Sequence, residues 1–120
     1  LEDSTLAASA LNSLDGETSG IINASSVSTL TGTASALQTA FDASGITGLG
    51  DEAVTLEDTT LAASALNSLD GETSGTINAS SVSTLTGTAS DVAAAYNASG
   101  ISGLGDETVT LSGTTAAAAE

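Results

Sequence analysis

The chain says one sentence twice. Residues 1–55 and 56–110 differ at only ten positions, namely 4, 21, 36–39, 41, 42, 47 and 53 of the first copy. A third copy opens at Leu111, where Leu-x-x-Thr-Thr returns the spacing of Leu56, Thr59 and Thr60. Near-identity at a fixed period means that whatever local structure forms once must form again, with the same surfaces exposed. Copies with the same surfaces bury them most readily against each other, as stacked repeat units. The chain is therefore divided into repeat 1 (1–55), repeat 2 (56–110) and the start of a truncated third repeat (111–120), and it reads as a window on a longer array.

A weaker half-period lies inside the repeat. Val27, Val54, Val82 and Val109 stand 27, 28 and 27 residues apart, and each opens a short β-like stretch such as Val54-Thr-Leu56. A helix-like segment follows each one. In the unit after Val54, Asp58, Thr59 or Thr60 suits a helix N-cap. Leu61, Ala62, Ala65, Leu66 and Leu69 then keep helical spacing on one side. Gly71 is placed for a left-handed C-cap, and Ile77-Asn78 reads as a second short strand. The alternate unit has a stripe of Ala89, Val92, Ala95 and Tyr96. Leu11, Leu14, Leu66 and Leu69 are the expected core of the helices, and the four valines are expected at equivalent strand positions.

A unit with one ten-residue helix and two three-residue strands cannot close a core alone. The expected fold class is α/β, a right-handed solenoid of about 27-residue strand-helix-strand coils, paired into 55-residue sequence repeats. A single small mixed α/β domain built once from the two repeats is the other possibility. Disorder is disfavoured despite the charge, because the apolar residues, 40% of the chain, are patterned.

Composition removes several functions. There is no Lys, Arg or His against 15 Asp and Glu, giving a formal charge of -15. Such a chain cannot neutralise phosphates, so nucleic acid is not an expected partner. An anionic membrane repels it, and no apolar run nears the roughly 20 residues of a bilayer span. Catalysis at neutral pH would rest on carboxylates and Tyr96 alone. Acids that recur with the repeat look like decoration rather than a single site, so no enzyme is expected. Gly48-Leu-Gly50 lacks the spacing of a dinucleotide loop and is followed by acids. The strands Val-Thr-Leu and Val-Ser-Thr-Leu do not make the uniform Thr-x-Thr array an ice lattice would match.

The carboxylates fall in turns: Asp51-Glu52, Glu57-Asp58 and Asp106-Glu107, with Asp15/Glu17 and Asp70/Glu72. Stacking would align such groups at about 5–10 Å, and oxygen ligands from loops suit Ca²⁺. Asp51, Glu52, Glu57, Asp58, Asp106 and Glu107 are thus the candidate calcium ligands, although no EF-hand or nonapeptide pattern is present. The competing reading is a solvated acidic surface near helix N-termini, with no cofactor required. Asn23, Asn78 and Asn97 fit the N-glycosylation pattern but suit turn formation better.

The stretch VTLEDTTLAASALNSLDGETSGTINASSVSTLTGTASDVAAAYNASGISGLGDETVTLSGTT resembles the tandem repeats of very large, Lys/Arg-poor extracellular surface proteins of bacteria, of cyanobacterial type. That resemblance implies a structural or adhesive role at the cell surface or outside the cell, with calcium as a possible ligand. The residues lead to a similar expectation by themselves. Repetition gives length rather than a unique site, and copies of the same chain, head to tail, are the expected partner. A calcium- or glycan-binding surface module is the alternative.

Overall fold

The computed structural model describes residues 2–112. Beyond Ser112 the truncated third repeat lies outside the described residues, as does Leu1. Repeat 1 runs β1 (Thr5–Ala7), α1 (Ala8–Glu17), β2 (Ile22–Asn23), β3 (Thr29–Gly32), α2 (Ala34–Asp42), β4 (Ile46–Thr47) and β5 (Ala53–Leu56). Repeat 2 follows the same order with β6 (Thr60–Ala62), α3 (Ala63–Asp70), β7 (Ile77–Asn78), β8 (Thr84–Gly87), α4 (Ala89–Asn97), β9 (Ile101–Ser102) and β10 (Thr108–Leu111). Among the described residues the fold is α/β, with parallel strands in three open sheets.

Strand register sets the spacing along the chain between paired strands. Thr5 pairs with Thr29 and Thr29 with Ala53; Thr60 pairs with Thr84 and Thr84 with Thr108. Each step is 24 residues rather than the 27 suggested by the valines. Val54 and Val109 lie in strands, opposite Leu30 and Leu85. Val27 and Val82 lie before β3 and β8, each closing a turn by donating its N–H to Ala24 or Ala79 at 3.0 Å. The valines are therefore not equivalent. Half of them are strand residues, and half are buried turn residues. Two 24-residue steps leave seven residues of the sequence period, from Ala53 to Thr59. They form β5 and its turn, so each repeat carries three long strands to two helices.

The alternation of each strand follows from the register. In β3, Leu30 points into the core while Thr29 and Thr31 are half-exposed. Leu85 of β8 does the same between Thr84 and Thr86. The strand sequence is thus Thr-Leu-Thr once the frame is moved by two residues, with threonine on the outer face and leucine on the inner face. Against it lie Leu11, Leu37, Leu66 and Leu69 of the helices, all fully buried. Thr33 and Thr88 cap α2 and α4 by accepting from the N–H of Ala36 (3.2 Å) and Asp91 (3.1 Å).

Local expectations for the unit after Val54 shift in three places. Leu61 and Ala62 belong to β6, because the ladder with β8 claims them before the helix begins. Asp58 does cap a helix, but the preceding one: its Oδ2 accepts from the Ala34 N–H of α2 at 2.7 Å. Gly71 ends α3 in the right-handed region, with its N–H donating back to Asn67 and Ser68. Left-handed glycine is required elsewhere. Gly48 and Gly103 have φ of +89° and +88°, and a Cβ there would stand 2.7 Å from the backbone nitrogen of Ser25 or Ser80.

Candidate functional site

The acidic residues do not converge. Asp51, Glu57 and Asp106 are exposed, and Asp58 is engaged at α2. Glu52 is fully buried, with both carboxylate oxygens accepting from the Gly50 N–H at 2.9 and 3.1 Å. Glu107 accepts the equivalent bond from Gly105 and a second from the Tyr96 hydroxyl at 2.9 Å. Desolvation works to raise the Glu107 pKa, but hydrogen bonds from Gly105, Tyr96 and the local backbone outweigh it and leave it lowered. Desolvation, the bond to Glu107 and nearby negative charge raise the Tyr96 pKa. Among the described residues no three acidic side chains are grouped to hold a metal ion. Asn23 and Asn78 act in turns, each side-chain oxygen accepting from the N–H two residues on, at 3.0 Å.

A groove between α2 and the β6–α3 segment is lined by Ala34, Gln38, Asp42, Asp58, Leu61 and Ala65, among others. It offers carboxylates and hydroxyls but no aromatic platform. Among the described residues no helix is long and apolar enough to cross a membrane.

The built feature of the molecule is the seam between the repeats. Strand β5 closes the β1-β3-β5 row of repeat 1, and its free edge is taken by β7 of repeat 2, with Val54 opposite Ile77 and Thr55 opposite Asn78. One five-stranded sheet, β1-β3-β5-β7-β9, therefore crosses the seam. Val54 N–H donates to the Thr76 carbonyl at 2.9 Å, and Ser74 N–H to Gly50 at 2.8 Å. The Thr73 hydroxyl donates to the Glu52 carbonyl at 2.7 Å. Gln38 Nε2 donates across the same seam to Glu72 at 2.9 Å. Gly75 lies so close to β5 that a Cβ would collide with the Glu52 carbonyl.

The same residues, 55 positions away, stand uncovered at the two ends. Val54 and Leu56 are 1% exposed, whereas Val109 and Leu111 of β10 are 38% and 49% exposed. Leu69 is 0% exposed and its counterpart Leu14 is 39% exposed, contrary to the expectation that Leu14 is core. Thr73 is buried and Thr18 exposed; Glu52 is buried and Glu107 half-exposed. The physical reason is position. Among the described residues helix α1 has a helix beside it only on the α2 side, whereas α3 lies between α2 and α4. Sequence reasoning missed the seam because it followed helix stripes and acidic turns. The sign that would have found it is Gly75 beside Thr73, a bare backbone segment with a hydroxyl to bridge it.

Comparison with protein-family models, with characterised proteins and with solved structures finds no match.

Proposed function

We propose that this chain is a structural repeat module of an extracellular fibre, sheath or adhesin stalk, a right-handed α/β solenoid segment whose task is to build length. The observation that carries the reading is the sheet that runs from β1 to β9 through the seam. It joins one repeat to the next by the same kind of parallel backbone pairing that joins coils within a repeat. Such a junction can be iterated without a new design at each step. The chain is already elongated: its extents are 50 × 22 × 20 Å, and its radius of gyration is 15.2 Å. A compact chain of this length would have a radius of about 14 Å.

The charge fits the same task. A formal charge of -15 with no cation keeps neighbouring rods apart and hydrated. A chain without Lys or Arg also offers no cleavage site to trypsin-like proteases, which suits exposure outside the cell. No catalytic role enters this reading.

Joining residues 1–110 to a second full chain keeps the 55-residue register and gives four repeats. Small-angle scattering should show the long dimension roughly doubling. A radius of gyration near about 17 Å, the value for a compact chain of that size, would overturn the reading. Titration with Ca²⁺ addresses the calcium alternative. Melting temperature is expected to stay within about a degree up to millimolar Ca²⁺, whereas saturable binding with a large rise would favour a metal-binding module.

A further inference from the structure

The helices are clasped within each repeat but not across the seam. In repeat 1, Asn12 of α1 donates its Nδ2 to the Ala36 carbonyl of α2 at 3.0 Å. In repeat 2, Asn67 of α3 makes the same bond to the Asp91 carbonyl of α4 at 3.1 Å. Gln38 holds the corresponding position of α2, and the matching carbonyl on α3 is that of Ala65. Gln38 turns elsewhere: its Nε2 donates to Asp42 Oδ1 at 3.2 Å and to Glu72 Oε2 at 2.9 Å. The groove between α2 and the β6–α3 segment opens there, with Ala65 in its lining and a volume of about 610 Å³. The two repeats also diverge here. Six of their ten differences fall at positions 36–39, 41 and 42, and three of these residues, Gln38, Thr39 and Asp42, line the groove. Their counterparts Ala93, Ala94 and Asn97 lack the Gln38 amide, the hydroxyl and the carboxylate. A chain that otherwise copies itself has thus set this one wall apart.

We propose that this groove binds a linear polyamine, an alkyl chain carrying an ammonium group at each end. Its apolar lining suits the methylenes: Ala34 and Leu61 are buried, and Ala65 is half-buried. Its carboxylates suit the ammonium groups, because they stand at opposite ends rather than together. Asp58 Oδ2 accepts from the N–H of Ala34, the first residue of α2, and Asp42 is the last residue of that helix. The eight helical steps between Ala34 and Asp42 span on the order of 12 Å. Ammonium–carboxylate bonds of about 2.8 Å at each end then set the two nitrogens roughly 6–12 Å apart, the short limit between the carboxylates and the long limit over them. With bonds of about 1.5 Å in a zigzag, a chain of about four to eight atoms between the nitrogens covers that span.

Charge selects this class of ligand. The chain carries -15 and has no Lys, Arg or His to pair with either carboxylate. An anionic ligand is repelled. A sugar finds hydroxyls in the groove but no aromatic face to stack on. A single metal ion, bound at about 2.3–2.6 Å from its oxygens, cannot reach both carboxylates. A diammonium reaches both and lays its carbon chain along Leu61 and Ala65. Asp42 belongs to repeat 1 and Asp58 to repeat 2, so the bound ligand bridges the seam and returns positive charge to it. The site needs only the seam, and it stands independently of the structural reading above.

Calorimetric titration of the chain with spermidine tests this at about 0.15 M salt, where exposed charges are screened beyond roughly 8 Å. Uptake should saturate at a single equivalent and raise the melting temperature. Butylamine, with a single ammonium group, should bind at least about tenfold more weakly. Ala65→Leu fills the groove without changing the charge, and it should weaken spermidine binding at least about tenfold. Asp42→Asn should do the same. Asp51→Asn removes an equal charge from an exposed turn outside the groove, and it should leave the affinity within about twofold. Circular dichroism checks that each variant is folded, and Ala65→Leu decides alone if Asp42→Asn is not. Three results overturn the inference. The first is no saturable uptake up to about 1 mM. The second is a diffuse cloud of counterions: several equivalents per chain, untouched by Ala65→Leu, or equal losses from Asp42→Asn and Asp51→Asn. The third is Ca²⁺ or a neutral disaccharide that binds where spermidine does not, and is lost in Ala65→Leu.

Discussion

Leu69→Ala is expected to destabilise the fold by about 2–5 kcal/mol, while Leu14→Ala should cost less than about 1 kcal/mol. The two leucines occupy the same place in identical helical sequences, Ala-Ser-Ala-Leu-Asn-Ser-Leu-Asp. Local propensity, capping and helix phase cannot tell them apart. What differs is the neighbour. Leu69 is wholly buried in a helix flanked on both sides, and removing three heavy atoms leaves a cavity that the flanking helices cannot both fill. Leu14 already meets solvent over 39% of its surface, so truncation there surrenders little burial and opens no closed void. Urea unfolding of the two variants, read at constant m-value, gives the comparison directly. Equal losses would mean that the end of the array is packed like its middle, and the contrast between seam and ends would collapse.

The pair also shows how far the sequence could be read. The repeat, the α/β class and the helical leucines Leu11, Leu66 and Leu69 were all legible, because each depends on a pattern local to one unit. Leu14 was not legible. Its sequence context equals that of Leu69, and only the helices packed beside it decide its burial. The coil length failed for a related reason. The valine spacing reports a sequence rhythm, whereas the ladder is chosen by where Leu30 and Val54 can share one inward face. Leu61 kept helical spacing with Leu66 and Leu69 and still became a strand residue, since pairing with Leu85 outweighs a helix period that could begin two residues later. Asp58 had the right chemistry for a cap and the wrong helix. Its carboxylate reaches back 24 residues to Ala34, a contact that exists only once segments distant in sequence have packed together. The six candidate calcium ligands depend on packing in the same way: Glu52 is buried at the seam, Asp58 stands at a helix start, and Asp51, Glu57 and Asp106 are exposed.

Gly75→Ala should be strongly disruptive, and Gly20→Ala, the same change one repeat earlier, should be neutral or slightly stabilising. Neither glycine occupies a left-handed conformation, so backbone strain does not enter. On conformational entropy alone both changes should stabilise by about 0.4–1 kcal/mol, since alanine restricts the unfolded chain. Gly20 is free to show that gain, its new methyl meeting only the Thr18 hydroxyl oxygen at 3.4 Å. At Gly75 the methyl runs into the backbone of β5, colliding with the Glu52 carbonyl and standing 2.9 Å from the Ala53 nitrogen. Backbone cannot rotate aside as a side chain can, and β5 is held on its other edge by β3 in a four-residue ladder. The strain must therefore open the β5–β7 pairing, which also breaks the bonds from Val54 to Thr76 and from Thr73 to Glu52. A net loss of about 2–3 kcal/mol is expected. The form of the transition should change as well. Stability in a stacked array divides into the repeats and the interfaces that couple them, so weakening the one seam should turn a single unfolding transition into two. Calorimetry and urea melts of the parent and both variants read these outcomes. If Gly75→Ala unfolds in one step with parental stability, then β5 and β7 are not in contact in solution, and the continuous sheet on which the proposed function rests does not exist.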